Sequence, residues 1–396
     1  MRNGSTLVDD SIKRRLQVVA AFLKIGALGY GAAAIWGLIQ AEMQERRAWV
    51  SKERFLEGMA LVNALPGAPA MQMCIFLGHQ RAGMWGGLLA GLAFMAPAFA
   101  VMLTLSALAS AFGGVPVMRD AFYGLSPVIL GVFIVAIYRL GKAAIKDPST
   151  VMIALAAAAL AASSLVGMAG IVLLAGCAGV GLHYSRKAGL VAALVAVLVV
   201  ACEHVATARL TPMSAIGDAS QPDPWHLALF FLKVGAVTFG GGMTIIAFVQ
   251  DQLVTQLHWI TAQEFLECLT LSQFTPGPII MVAAYVGYKV AGLAGASVAA
   301  VAIFLPSFVL MLSILPFLER VRRLSWVKAA MKGISPAVVG AIAVSVVQLV
   351  PHAVSDALTG AMLIITVLLL AAWRLPVLSM VVGGSVIGTL ARSLAR

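Results

Sequence analysis

Long apolar segments alternate with short polar stretches along the whole chain. Residues 83–112 and 149–182 contain no charged residue and no histidine. Because a helix needs about 20 apolar residues to cross a bilayer, the first run predicts one long or broken helix and the second predicts two. The apolar segments fall at 17–40, 55–79, 83–112, 121–138, 149–166, 168–184, 188–204, 225–250, 265–289, 291–318, 329–350, 356–373 and 375–392. This pattern predicts an all-α polytopic membrane protein with about 13 hydrophobic segments.

The chain repeats itself at an offset of 209 or 210 positions. "FLKIGALGYG" at 22–31 returns as "FLKVGAVTFG" at 231–240, and "GLSPVILG" at 124–131 returns as "GISPAVVG" at 333–340. The repeat predicts four regions: an N-terminal tail (1–16), a first repeat (17–187), a connecting segment and loop (188–224), and a second repeat (225–396).

The loop charges predict that the two repeats have opposite orientations. Short cytoplasmic loops carry excess Lys and Arg. Four basic residues lie between 46 and 54, whereas residues 251–264 hold none except His258; conversely, 319–332 holds five and 113–120 only Arg119. Seven segments separate equivalent points, and an odd number inverts the second copy. Inverted repeats are typical of secondary transporters. The charges leave open the side of the N-terminus, and whether the first segment of each repeat spans or is re-entrant.

The second segment of each repeat is interrupted by a Pro-Gly pair. Pro66-Gly67 is followed by Pro69, and Pro276-Gly277 by Pro278. Proline removes an amide donor and clashes with the preceding turn, so a helix should stop at each pair and a second helix should begin after it. Such a break at membrane depth is tolerated where it faces protein or water. The free amides of the second helix would then form an anion site, the alternative being a structural kink.

Polar residues near these breaks are the candidate ligands. Lys24 and Lys233 lie inside apolar segments, either as functional charges or as snorkelling side chains. Glu57 and Glu267 are either proton-coupling groups or interfacial residues. The full set of predicted substrate-binding residues is Lys24, Gly31, Asn63, Pro66, Gly67, Gln72, Lys233, Gly240, Gly241, Gln273, Thr275, Pro276 and Gly277.

Composition excludes several classes of protein. The chain of 396 residues is 61% hydrophobic and 11% charged, against about 25% charged in soluble domains. Its net charge of +11 is distributed in short clusters between apolar segments, which disfavours nucleic acid as a partner. The four cysteines show no C-x-x-C spacing, and no metal-ligand set, phosphate loop or catalytic constellation appears. We therefore expect no cofactor, no metal and no enzyme activity, and no removable signal peptide.

These motifs together resemble the chromate ion transporter family in its long, two-domain form. The resemblance rests on "MQERRAWVSKERFLEGMALVNALPGAPAMQ" and "TFGGGMTIIAFVQDQLVTQLHWITAQEFLECLTLSQFTPGP" and covers nearly the whole chain. The first copy departs from the family pattern at Tyr30, Ala32, Ala33 and Ala68. The resemblance implies export of chromate through the bacterial inner membrane, and chromate resistance.

The residues leave other functional hypotheses open. One is a transporter of sulfate or another oxyanion, working in either direction, and another is a membrane-bound chromate reductase. The coupling ion and the oligomeric state are open as well, a homodimer being one possible state. The lipid bilayer is the expected surrounding in every case.

Overall fold

The computed structural model describes residues 4–112, 116–163, 166–191, 193–194, 196–197, 224–238, 243–317, 325–372 and 377–394. These residues are almost entirely helical, with one isolated bridge between Tyr30 and Gly277. Much of the predicted segment 188–204 and the glycines Gly240 and Gly241 lie outside the described residues.

The helices of the first copy are α1 (Gly4–Leu28), α2 (Ala32–Gln40), the π-helix π1 (Ala41–Arg46), α3 (Lys52–Ala64), α4 (Pro69–Phe112), α5 (Pro116–Ala144), α6 (Pro148–Ser163) and α7 (Met168–His183). Those of the second copy are α8 (Pro224–Val237), α9 (Thr244–Phe248), π2 (Val249–Gln256), α10 (Ala262–Phe274), α11 (Val282–Ile314), α12 (Ser325–Ala353), α13 (Ala357–Ala372) and α14 (Val377–Leu394). Short 3₁₀ turns cover Ile279–Met281 and Leu315–Phe317.

Among the described residues, four helices are long and apolar enough to cross a membrane by length and composition: Pro69–Phe112, Arg119–Ala144, Ile279–Ile314 and Ser325–Ala353. Shorter apolar helices accompany them. This agrees with a polytopic all-α membrane protein. The first helix begins at Gly4, so most of the stretch predicted as a tail is helical.

Contacts divide the chain into two units that each combine both copies. Unit one contains Met1–Phe112, Pro224–Gly242 and Leu271–Arg323, and unit two contains the remainder. In unit one, α1 packs on α4 and α8 packs on α11. In both pairs a glycine allows the close approach of the two helices. A Cβ at Gly26 would overlap the carbonyl of Phe94, and a Cβ at Gly235 would overlap the carbonyl of Ile303. These two contacts are 209 positions apart, so both copies use the same packing.

The long helices α4 and α11 each turn back on themselves. Non-helical dihedrals occur at Ala82–Gly83 in α4 and at Ala291–Gly292 in α11. Gly78 meets the carbonyl of Gly86, although residues eight apart in a straight helix would be about 12 Å apart. Each helix is therefore a hairpin with a short limb and a long limb, and both reversals use a glycine with φ near +60°.

The long limbs of α4 and α11 pack against each other in unit one. Gly87 faces Leu312, and one turn later Gly91 faces Phe308. Because the residue number rises on one helix while it falls on the other, these equivalent limbs run antiparallel.

In unit two, helices of each copy pack against helices of the other copy. α5 of the first copy packs against α13 and α14 of the second, while α12 of the second packs against α6 and α7 of the first. The closest approaches again correspond: Gly124 meets the carbonyl of Gly384, and Gly333 meets the carbonyl of Ala175. Small residues let helix backbones approach closely, which is how membrane helices gain packing energy.

Candidate functional site

Two reciprocal backbone hydrogen bonds join the copies in unit one. The amide of Gly67 donates to the carbonyl of Thr238, and the amide of Gly277 donates to the carbonyl of Gly29, each at 2.7 Å. Each Pro-Gly break of one copy thus meets the glycine-rich motif of the other copy. We call this pair of contacts the crossing.

Glycine is required at both breaks by backbone geometry. Gly67 has φ of +120° and Gly277 has φ of +92°, a region that residues with a Cβ rarely adopt. The space at Gly67 is also closed, because an added Cβ would overlap Ser307 Oγ and Gln72 Nε2. At Gly277 it would lie 2.9 Å from the Cβ of Ala98.

A helix begins directly after each break, as the prolines predict. α4 starts at Pro69, and its first hydrogen bond runs from the amide of Gln72 to the carbonyl of Ala68. In the second copy the amide of Met281 bonds the carbonyl of Pro278 at 3.0 Å. The amides that precede these bonds, at 70–71 and 279–280, are the donors that a helix N-terminus leaves without an intrahelical acceptor. Two helix N-termini therefore adjoin the crossing, and each favours negative charge.

The two copies differ in the hydrogen bonding of the backbone just after the break. The amide of Ala68 donates to Ser307 Oγ at 3.0 Å. At the corresponding positions the other half has Pro278, which has no amide hydrogen, and Ala98, which has no hydroxyl. The alanine that departs from the family pattern thus supplies a donor for which the chain provides a matching acceptor.

Gln72 carries the most buried amide side chain of the site. Its side chain is fully buried, and its Nε2 donates to the carbonyl of Pro66 at 2.5 Å. Its Oε1 is buried without a hydrogen-bond partner. Side chains on a helix tilt toward the N-terminus, which is why a residue in the first turn of α4 reaches back to the break.

Lys24 is held by an acid that the sequence analysis did not single out. Its Nζ lies 3.2 Å from Glu42 Oε2, and Arg47 Nε lies 2.9 Å from Glu42 Oε1. Arg46 lies 3.4 Å from the same carboxylate. Three cations thus surround one carboxylate in π1, just after the predicted first segment. The spacing of 18 residues to Lys24 gave no sequence signal, because a glycine break separates the two helices.

The electrostatics of Glu42 follow from this cluster. Burial alone would raise the pKa of the carboxyl, but hydrogen bonds from Arg47 and Lys24 and their charges outweigh burial and lower the pKa below its usual value. The carboxylate is only 8% exposed, whereas Lys24 is 45% exposed. Lys24 is therefore an ion-pair partner at the surface of unit one and not an isolated buried charge.

The other predicted residues lie around the breaks with varied surroundings. Asn63 is exposed and donates to the carbonyl of Met59, whereas Thr275 is buried and donates to the carbonyl of Leu271. Gln273 Nε2 contacts Ser272 Oγ at 3.3 Å. Gly31 has φ of +78° and begins the turn into α2. Pro66 is partly buried and Pro276 buried, beside their glycines, and Lys233 is partly buried on α8.

The two predicted proton-coupling acids have different settings. Glu57 pairs with Arg54 at 2.9 Å and is about one-third exposed. Glu267 lies on the part of α10 that belongs to unit two and is partly buried. Within the described residues, no group of three or more His, Cys, Asp or Glu could hold a metal ion.

Comparison with known proteins identifies the family. A family model described as chromate transporter matches residues 16–182 and again residues 225–389. The chain belongs to the chromate transporter family. The two matched stretches contain all four elements of the crossing, so the site consists of the parts that the two copies have in common.

Curated relatives extend over most of the chain. It is 30% identical to the chromate transport protein of Cupriavidus metallidurans over 380 residues, which cover 93% of this chain and 91% of that protein. It is 34% identical to the chromate transport protein of Pseudomonas aeruginosa over 347 residues, 84% of this chain and 80% of that one. A probable chromate transport protein of Synechococcus elongatus is 29% identical over 368 residues, 91% and 90% of the two chains. No solved structure matches.

Proposed function

We propose that this protein is a secondary transporter that exports chromate from the cytoplasm through the inner membrane and thereby confers chromate resistance. The observation that carries the proposal is the crossing, where the glycine amide before each of two helix N-termini bonds to the glycine-rich motif of the other copy. A relative named as a chromate transport protein covers 93% of this chain.

The chemistry of the crossing suits a tetrahedral oxyanion. Backbone amides at helix N-termini bind such anions without a charged side chain. Chromate carries its charge on oxygens that accept hydrogen bonds, as carbonyl oxygens do. In this structure the amides of Gly67 and Gly277 donate to the carbonyls of Thr238 and Gly29. An entering oxyanion would replace these carbonyls, so binding would release the two copies from each other.

We assign the substrate ligands to the residues at and beside the crossing. The amides come from the Pro-Gly breaks at 66–67 and 276–277 and from the turns after them, and Gly31, Gly240 and Gly241 complete the assigned set. Asn63, Gln72, Gln273 and Thr275 supply side-chain hydrogen bonds. Lys24 and Lys233 contribute a positive field.

Lys24 acts from a short distance. It precedes Gly29 by five residues, about 7–8 Å along the helix, and its ion-pair cluster has an excess of positive charge.

We propose that the two repeats are inverted across the membrane and that about 13 segments cross or enter it. The reversed bias of basic residues between equivalent loops supports the inversion. The antiparallel course of the equivalent long limbs, seen at Gly87–Leu312 and Gly91–Phe308, supports it independently. Inverted repeats give the site two related conformations that open to opposite sides.

The membrane potential favours export. Moving a negative charge out of an inside-negative cell gains about 2.3 kcal/mol per charge per 100 mV. Glu57 and Glu267 are the groups that would couple protons if the gradient demands additional drive.

Transport into inside-out vesicles tests the proposal. Vesicles that contain the protein should take up radiolabelled chromate, and vesicles without it should not. Labelled sulfate is measured in parallel. If sulfate is transported and chromate only inhibits, the protein is a sulfate transporter and the proposal is wrong.

The contribution of Lys24 and Lys233 to transport is tested in cells. Survival in chromate should fall in Lys24→Ala and Lys233→Ala and fall further in the double variant, at matched expression. Unchanged resistance of the double variant would remove both lysines from the mechanism.

A further inference from the structure

Gln72 distinguishes the first half of the site from the second. The corresponding stretch of the second copy has Met281 and Val282, which are buried and apolar. A fully buried glutamine therefore occurs at only one of the two breaks. Burial of an amide is costly unless both of its polar atoms find partners.

The nitrogen of the Gln72 carboxamide has a hydrogen-bond partner, whereas the oxygen has none. Its Nε2 is committed to the carbonyl of Pro66 at 2.5 Å. This bond fixes which end of the amide is the nitrogen, so the atom left over is the oxygen, a pure acceptor. The same carboxamide lines the space over Gly67, together with Ser307 Oγ. A buried acceptor without a partner thus lies beside the helix N-terminus that faces the crossing.

An acceptor at an anion site requires a donor on the ligand. Fully deprotonated oxyanions carry only acceptors, and they would face Gln72 Oε1 without a hydrogen between them. A monoprotonated oxyanion carries one O–H, which can donate to Oε1 while its remaining oxygens accept from the amides. Resting on the proposed function, we propose that the site selects hydrogen chromate, the monoanion, and that Gln72 Oε1 accepts its hydroxyl hydrogen.

The selection separates chromate from sulfate. Chromate gains its proton near neutral pH, whereas sulfate gains one only in strong acid, so only chromate offers the donor under cellular conditions. A site that hydrogen-bonds a substrate hydroxyl disfavours an analogue without it, because the buried partner is then left unpaired. Gln72 is therefore a specificity-determining residue.

The pH dependence of transport then arises from the substrate. The polar groups that contact Gly67 and Gln72 in the described part of the chain are the carbonyls of Pro66, Ala68 and Thr238 and the hydroxyl of Ser307. None of these groups titrates near neutral pH. The apparent KM for total chromate should rise as the protonated fraction falls, approaching about tenfold per pH unit on the alkaline side.

Transport by Gln72→Met and Ser307→Ala tests this assignment. Uptake of chromate is measured in inside-out vesicles between pH 6 and pH 8, with equal pH on both sides and a clamped membrane potential. Inhibition by sulfate is measured at each pH. Gln72→Met fills a similar volume but replaces the carboxamide oxygen by a weakly accepting sulfur, whereas Ser307→Ala removes the acceptor of the Ala68 amide and leaves Gln72 intact.

The wild type should show the rise in KM and should prefer chromate to sulfate most strongly at pH 6. Gln72→Met should lose that preference by about tenfold and show a flatter pH profile. Ser307→Ala should keep both properties of the wild type.

The inference fails if wild-type KM is independent of pH, or if Gln72→Met keeps the pH profile and the chromate-to-sulfate ratio of the wild type. A pH-independent KM of the wild type overturns the inference even if the variant does not fold. Chromate uptake with either of these results would leave the proposed function intact. Absence of any chromate uptake by the wild type would overturn both.

Discussion

Replacement of Gly67 by alanine should damage the protein more than the equivalent replacement of Gly277. Both glycines have positive φ, and a Cβ in such conformations costs roughly 1–3 kcal/mol. At Gly67 the Cβ would also displace Ser307 Oγ and Gln72 Nε2. Each of these atoms makes one hydrogen bond at the break, worth about 0.5–1.5 kcal/mol. We therefore expect Gly67→Ala to cost roughly 2–6 kcal/mol.

At Gly277 the added Cβ meets only the methyl of Ala98, at 2.9 Å, and breaks no side-chain hydrogen bond. Gly277→Ala should therefore cost less, by about 1–3 kcal/mol. Gly37→Ala is the control, because Gly37 is helical and its Cβ would meet nothing within 4 Å. It should be neutral or stabilising by up to about 1 kcal/mol.

The assay is thermal unfolding of the detergent-purified variants, paired with chromate uptake in vesicles at matched protein content. Gly67→Ala should show the lowest midpoint and the lowest uptake of the three. In a Ser307→Ala background the loss should be smaller, since one obstructing atom is gone. A Gly67→Ala variant as stable as the wild type, or less affected than Gly277→Ala, would refute the reasoning.

Three further sets of variants address other contacts. Glu42→Gln should lower the melting temperature at pH 7, and the loss should shrink as the pH falls through the folded pKa of the carboxyl. The lowered pKa makes the stabilisation by Glu42 complete above its unfolded pKa and absent once the folded carboxyl is protonated, so a loss that does not shrink on acidification would contradict this. Ala68→Pro and Ser307→Ala should not be additive, with a coupling of about 0.5–1.5 kcal/mol in a double-mutant cycle of unfolding, because one hydrogen bond joins them; additive effects would disprove it. Gly333→Ala, whose Cβ would overlap a carbonyl of α7, should cost about 1–3 kcal/mol in the same assay, whereas Gly383→Ala meets nothing and should not; equal effects would be inconsistent with this packing.

Local signals in the sequence predicted the helical breaks correctly. Proline and glycine act on their own backbone, so the Pro-Gly pairs at 66–67 and 276–277 favour a helix end through local geometry alone. The helix that starts at Pro69 confirms this prediction. The structure adds that both copies contain the same hairpin, at Ala82–Gly83 and Ala291–Gly292.

Partners distant in sequence could not be predicted in the same way. Nothing local indicates that Gly67 bonds Thr238 and that Gly277 bonds Gly29, because each bond joins one copy to the other. The pairing of Ala68 with Ser307 spans 239 positions, and the pairing of Lys24 with Glu42 crosses a glycine break. The sequence alone therefore leaves Lys24 as either a substrate ligand or a snorkelling side chain, and it does not reveal the acid that pairs with it.

The sequence by itself determined that this chain is a duplicated, helical membrane protein of the chromate transporter family, because hydropathy, proline, glycine and motif order are properties of the chain alone. Only the tertiary structure decided that the copies exchange partners, that Gln72 has a buried acceptor without a donor, and that Glu42 holds Lys24. These features depend on which atoms come within hydrogen-bond distance of each other after packing, and that proximity is set by the whole fold.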